Sequence, residues 1–305
     1  MGKIAFVFSG QGAQHTGMGL DLYNNTPIAR KIFEQLEVIK PGTMELCFNG
    51  SKEELTKTKN TQPCLYLVDL VAALSLHENG IVPDALAGFS LGELAALSFS
   101  GSMSYEDGFR IVCKRGEYMQ AAGDERESSM MAILKLDNET IENLCKKYNE
   151  VYPVNYNYPG QLVVSGLKSE MDLFKFDVKE AGGSALPLNV SGAFHSPFMS
   201  SAEKRFKECL REFEFSTPQI PVYSNCTALP YTKNVSELLS NQLMNPVLWQ
   251  KSVENMINDG IDTFIEVGVG KTLSGFISKI SQNVAIYNVE DIESLKRTVA
   301  EVKRC

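Results

Sequence analysis

Gly88-Phe89-Ser90-Leu91-Gly92 stands where the apolar run Ala85-Leu86-Ala87 gives way to the helical pattern Glu93-Leu94-Ala95-Ala96-Leu97. A serine on a strand-to-helix turn has its hydroxyl pushed out of the backbone. The free N–H groups of the new helix lie just beyond it and can hold a developing oxyanion. Glycine at 88 and 92 suits that turn, because a Cβ at either place would crowd it. The pentapeptide alone is a weak signal, and its context makes it a candidate nucleophile elbow.

A reactive serine needs a base, and the chain has three histidines. His77 closes the apolar stretch 64–76 just before Glu78-Asn79-Gly80, a histidine in the last turn of a helix with a structural part to play. His15 lies in a glycine-rich loop, where it could line a site or simply face water. His195 lies in Val190-Ser191-Gly192-Ala193-Phe194-His195-Ser196-Pro197, where a strand-like segment breaks before proline. Serine first and histidine far downstream is the chain order of α/β-hydrolase-like sites. Elimination and order make His195 the candidate base. No aspartate partner stands out.

Lys3-Ile4-Ala5-Phe6-Val7-Phe8 reads as a short buried strand halted by Ser9-Gly10-Gln11-Gly12-Ala13-Gln14. The loop lacks the Gly-Lys-Ser/Thr ending of a phosphate-binding loop and the spacing of a dinucleotide fingerprint. Two readings stay open: a plain βα turn, or a loop whose N–H joins that of Leu91 in an oxyanion hole.

Strands and helices alternate from residue 3 to about 125: Ile4–Phe8, a helix after Met18, a helix Pro63–Glu78, Ala85–Phe89 and the helix carrying Glu93. Such alternation predicts a parallel sheet with helices on both faces. The polar stretch 123–129 is a plausible boundary. Beyond it come Met130–Leu136, a helix Glu139–Tyr148, Val151–Asn155, Gln161–Ser165, a helix Lys168–Ala181 and Ala185–Val190. That β-α-β-β-α-β order is ferredoxin-like. From Ser191 the chain is expected to return to the large unit, with helices Ser201–Phe213, Val235–Leu243 and Val247–Asp259 and a strand Ile261–Val267. The expected fold class is therefore α/β: a large α/β-hydrolase-like subdomain with a mainly parallel sheet (1–127 and 191–305) and an inserted small ferredoxin-like subdomain (128–190).

At 305 residues, 44% hydrophobic and 22% charged, the chain has an ordinary globular composition with room for more than one unit. The first residues run straight into a strand without a basic leader, and no apolar run reaches membrane-span length, so secretion and a membrane are not expected. Met1-Gly2 is followed by Phe6 where myristoylation wants serine or threonine. Seven cysteines without paired spacing read as reduced thiols in a cytoplasmic protein, neither a disulfide nor a metal framework. The net charge of −8 argues against nucleic acid as a partner.

Seven segments together carry a resemblance: 9–14, 88–93, Arg115-Gly116, Asn155-Tyr156-Asn157-Tyr158-Pro159-Gly160-Gln161, Gly192–Ser196, 241–249 and 266–271. In order and spacing, over nearly the whole chain, they are similar to the malonyl-CoA:acyl carrier protein transacylases of fatty acid synthesis. The resemblance implies that Ser90 is the nucleophile that becomes a malonyl ester, and His195 the base and later the acid. It also implies an oxyanion hole from the backbone N–H groups of Gln11 and Leu91, with Gln11 at the substrate. Arg115, which its surroundings alone present as a surface cation near Glu117, would hold the malonyl carboxylate. A backbone carbonyl near Gln242 would orient the histidine. Phe194 would crowd an α-methyl group and favour malonyl, although a phenylalanine there also reads as core.

One departure is visible. Many members have histidine directly before the nucleophile, whereas this chain has Phe89, whose side chain should point away from the serine. Malonyl-CoA is the implied substrate and acyl carrier protein the implied partner, with no resident cofactor or metal, and a monomer is expected. Acyl carrier proteins are acidic, so docking would need a local basic patch, to which Lys271, Lys279 and Arg115 could contribute. Rival readings are a serine thioesterase or hydrolase, a polyketide-type acyltransferase with another extender unit, and a non-catalytic module.

Overall fold

The computed structural model describes residues 2–304. Met1 and Cys305 lie outside the described residues, so one of the seven cysteines and the first residue of the Met1-Gly2 reading fall there. The other six cysteines are free thiols, four of them buried.

Among the described residues nine strands form two sheets: β1 (Lys3–Phe8), β2 (Ala85–Gly88), β3 (Ser128–Leu134), β4 (Val151–Tyr158), β5 (Gln161–Leu167), β6 (Ser184–Pro187), β7 (Val222–Tyr223), β8 (Ile261–Val267) and β9 (Ala285–Val289). The larger sheet runs β7-β2-β1-β8-β9, and every pairing in it is parallel. β1 is central and buried from Ile4 to Phe8. Its residues alternate between two cores: Phe6 and Phe8 join one, Ala5 and Val7 the other. That is why the strand reads as an unbroken apolar run instead of an alternating one.

The helix predicted from Pro63 starts at Thr58 and runs to Glu78. A proline inside a helix removes one N–H and orphans the carbonyl four residues back. Here that carbonyl belongs to Lys59, and Lys40 Nζ donates to it at 3.0 Å. The helix has no solvent-facing polar stripe along its middle because it is buried all round from Thr61 to Leu76. His77 lies in its last turn, with its ring edge-on to Phe99.

The smaller sheet is antiparallel, in the order β4-β5-β3-β6. Helices Asn138–Cys145 and Lys168–Glu180 cover one face through Ile141, Phe174 and Val178. Ala132 and Val163 on its other face border a cleft against the larger sheet. β6 ends at Pro187, three residues before the predicted end. Pro187 brings no N–H to the ladder, although Leu188 still donates to Met130 O at 2.9 Å. The helix before β3 continues to Glu125, into the stretch read as a polar break. Among the described residues no helix is long and apolar enough to cross a membrane.

Candidate active site

β2 ends at Gly88, Ser90 makes the turn and a helix begins at Gly92. A Cβ on Gly88 would lie 2.0 Å from the Gly92 carbonyl carbon and 2.1 Å from the Glu93 nitrogen, so only glycine fits there. Ser90 itself has φ +55°, in the left-handed region that a side chain seldom occupies. Asn225 holds the turn in that shape: Ser90 N–H donates to its Oδ1 at 2.8 Å, and its Nδ2 donates to Gly88 O at 2.7 Å.

His195 follows the predicted break, also with a left-handed backbone (φ +61°), and is buried. Its Nε2 lies 2.8 Å from Ser90 Oγ and its Nδ1 lies 2.8 Å from Gln242 O. A carbonyl can only accept, so Nδ1 carries the proton and Nε2 offers its lone pair to the serine hydroxyl. Burial, reinforced by the neighbouring Arg115 charge, pulls the imidazole down to about 4, while the Gln242 carbonyl opposes the shift. The imidazole is therefore neutral, and a base, across the physiological range.

The acid limb of the serine acylation rate is expected near pH 4 to 5, with little loss between pH 8 and 6. Rapid-quench acylation rates over that range test this; a limb at 6.5 would place the imidazole in a water-like setting. Between about pH 4 and 6.5 the unfolded chain binds the proton that folded His195 refuses, so this group's contribution to stability is lost as pH falls through that window.

Arg115 projects from helix Tyr105–Glu125 and is 1% exposed. Its surroundings in sequence had suggested a surface cation beside Glu117, but Glu117 pairs with Lys114 at 3.2 Å instead. The Arg115 guanidinium donates to Gln62 Oε1 and Gln242 Oε1, each at 2.8 Å, and to Ser90 Oγ at 3.1 Å. Burial lowers its pKa to about 10 against the pull of Glu93, so it stays charged at neutral pH.

Four residues that the sequence does not single out as site residues also belong to this centre: Gln62, Glu93, Asn225 and Tyr231. Glu93 is fully buried beneath the serine, accepting from Tyr231 Oη at 2.5 Å, from Asn225 N–H at 3.1 Å and from Gln242 Nε2. Burial raises its carboxyl to about 7, and those three donors pull the other way. A lone carboxylate in the apolar start of a helix was the available signal. Gln242 Nε2 also donates to Ser90 O at 2.9 Å, so this one residue touches the serine, the arginine and the histidine.

Gln11 lies across the cleft, with its Nε2 3.4 Å from Thr58 Oγ1. Among the described residues the N–H groups of Gln11 and Leu91 donate to no protein acceptor, which leaves both for a ligand oxygen. A cavity of about 280 Å³ borders Gln11, Phe89, Asn155, Asn157, Leu188 and Phe276. The Phe89 ring packs edge-on to Trp249 at 5.6 Å and 6.2 Å from Phe276, forming an apolar wall. Buried Oδ1 atoms of Asn155 and Asn157 have no protein partner.

Lys271 and Lys279 are exposed on or just before helix Thr272–Ile280, whose Thr272, Leu273 and Phe276 line the cavity. His15 is away from this centre, half-exposed and 2.7 Å from Glu290. Phe194 is buried in the main core. Among the described residues no group of three or more histidine, cysteine or carboxylate side chains could hold a metal.

The fold thus brings together a serine on a left-handed turn, a histidine pinned by a carbonyl and a buried arginine. Residues 5–298 match the family model described as an acyl transferase domain. The chain belongs to the acyltransferase family. The acyltransferase is 39% identical to a malonyl CoA-acyl carrier protein transacylase of Bacillus subtilis, covering 99% of this chain and 98% of that one. A Staphylococcus aureus protein of the same name is 37% identical over 97% of this chain and 98% of its own. Among solved structures, the Clostridium perfringens malonyl CoA-acyl carrier protein transacylase superposes with a TM-score of 0.96 at 37% identity, covering 99% and 98% of the two chains. A malonyl-transacylase in complex with a type II polyketide acyl carrier protein superposes at 0.94 with 34% identity, covering 98% and 99%.

Proposed function

We propose that this acyltransferase moves a malonyl group from malonyl-CoA to the phosphopantetheine thiol of an acyl carrier protein, supplying fatty acid synthesis, through a malonyl ester on Ser90. The observation that carries the choice of acyl group is Arg115, a buried cation 3.1 Å from the nucleophile. A fixed guanidinium favours an acyl chain that ends in a carboxylate, which it can grip with two parallel hydrogen bonds.

His195 Nε2 takes the proton as Ser90 Oγ attacks the thioester carbonyl. The Gln11 and Leu91 N–H groups hold the oxyanion of the tetrahedral intermediate. As the intermediate collapses, the C–S bond breaks and His195 returns the proton to the departing coenzyme A sulfur. The carrier thiol then gives its proton to His195 and attacks the ester, and Ser90 leaves with that proton. Arg115 trades its bond to Ser90 Oγ for the malonyl carboxylate. The unpartnered Asn155 and Asn157 oxygens suit the amide N–H groups of a pantetheine arm. Phe194, beside His195 in the chain, borders the acyl α-carbon in this reading. Residues 128–190 act as an insertion roofing the cleft, and Lys271 and Lys279 receive the acidic carrier. The protein works as a cytoplasmic monomer without a resident cofactor.

Mixing the protein with malonyl-CoA, with and without holo acyl carrier protein, separates transfer from hydrolysis. Malonyl-carrier should form at least tenfold faster than free malonate. Malonate released at the same rate with or without carrier would make the protein a thioesterase.

A further inference from the structure

Behind the Gln11 turn lies a buried carboxyl group that the transfer chemistry does not use. Asp69 sits in the middle of helix Thr58–Glu78 and is fully buried. Its Oδ1 accepts from Ser9 Oγ at 2.6 Å, and its Oδ2 is buried without a partner. Among the described residues no lysine or arginine forms an ion pair with it, and its one charged neighbour is the like-charged Glu266. An ionised carboxylate with one hydrogen bond and no counter-charge is a costly thing to bury, so the group takes up a proton. Burial pushes its carboxyl well above the usual carboxylate range; the Ser9 bond opposes that shift and Glu266 adds to it.

Ser9 is where β1 becomes the Gln11 loop. Its hydroxyl also accepts from Val269 N–H at 3.3 Å, and its own N–H donates to Val267 O at 3.3 Å. The loop it starts is pressed against the elbow. A Cβ on Gly92 would lie 2.5 Å from both Phe8 O and Ser9 O, and one on Gly10 would lie 2.8 Å from Phe89 O. No slack separates Ser9 from the nucleophile's turn, and Gln11 N–H is two residues further on.

We propose that Asp69, held as a neutral acid, is a positioning residue for the oxyanion hole: through Ser9 it fixes how far the Gln11 N–H stands from the Ser90 turn. The inference rests on the acyl-transfer reading given above. In a neutral Asp69 the proton sits on Oδ2 and Oδ1 accepts from Ser9; asparagine supplies the same accepting oxygen, with an N–H donor in place of the O–H. A misplaced oxyanion donor costs turnover and leaves substrate binding alone, because the oxyanion exists only after attack.

The test compares Asp69→Asn, Asp69→Ala and Ser9→Ala with wild type in malonyl transfer, each with a melting curve. Asp69→Asn should stay within about threefold of wild type. Asp69→Ala and Ser9→Ala should lose about 10- to 100-fold in kcat with KM held within about twofold. An asparagine variant as impaired as the alanine one would overturn the neutral acid. Full activity in Asp69→Ala would overturn the positioning role, as would a loss confined to KM. If Asp69→Ala does not fold, Ser9→Ala decides, because it removes the same bond from the other end, and normal turnover there would sink the idea. A wild type that moves no malonyl group would instead refute the acyl-transfer reading itself.

Discussion

Ser90→Ala is expected to lower malonyl transfer by roughly 10⁴-fold or more, with KM and melting temperature little changed. In the proposed route the hydroxyl is the only part of Ser90 that reacts, while the turn around it is held by bonds to the Ser90 backbone. Asn225 Oδ1 takes its N–H and Gln242 Nε2 gives to its carbonyl, and alanine keeps both. His195→Ala should fall by a similar factor, and the double variant hardly further, because serine and histidine act as one unit. Steady-state transfer to holo acyl carrier protein measures all three. A Ser90→Ala enzyme within tenfold of wild type would remove the nucleophile from the account.

Arg115→Ala is expected to cost about 10²- to 10³-fold in kcat/KM for malonyl-CoA, or roughly 3 to 4 kcal/mol. The size comes from burial: the guanidinium is 1% exposed, so a carboxylate held there meets no screening water. Acetyl-CoA has no carboxylate to lose, and its slow loading should stay level or rise. Arg115→Lys should restore little, since the three donors of an ammonium cannot bond Gln62, Gln242 and both oxygens of a carboxylate at once. Competition between the two donors, read as the ratio of serine esters formed, gives the answer. An unchanged ratio would detach Arg115 from acyl selection.

The parts of the fold legible from sequence are those where local pattern and burial agree. β1 is an apolar run and β8 carries buried Ile261, Phe264, Ile265 and Val267; each is closed by a glycine-rich loop and flanked on both sides in the parallel sheet. β7 has only two residues, too short for any periodicity, and β9 is an edge strand whose first four residues are half-buried. The helices Pro27–Glu37 and Ile292–Val302 went unread although each has an amphipathic face. The start at Thr58 was hidden by Pro63, because Lys40, eighteen residues before helix position Thr58, supplies the donor that the proline lacks.

The site divides in the same way. Ser90 and His195 carry local marks, a glycine-flanked turn and a break before proline, and the fold brings them within 2.8 Å. Arg115 carries none, since a helical arginine with acidic neighbours looks like any surface residue; only its resemblance to a known segment singled it out. Asn225 and Tyr231 act from distant stretches of chain with no pattern around them.

Intact-mass analysis of the wild-type enzyme after brief exposure to malonyl-CoA, followed by peptide mapping, tests the covalent route most directly. One malonyl group should appear, on the peptide bearing Ser90, and holo acyl carrier protein should strip it off within one turnover. Full turnover with no such ester, or an ester on any other residue, would contradict the mechanism.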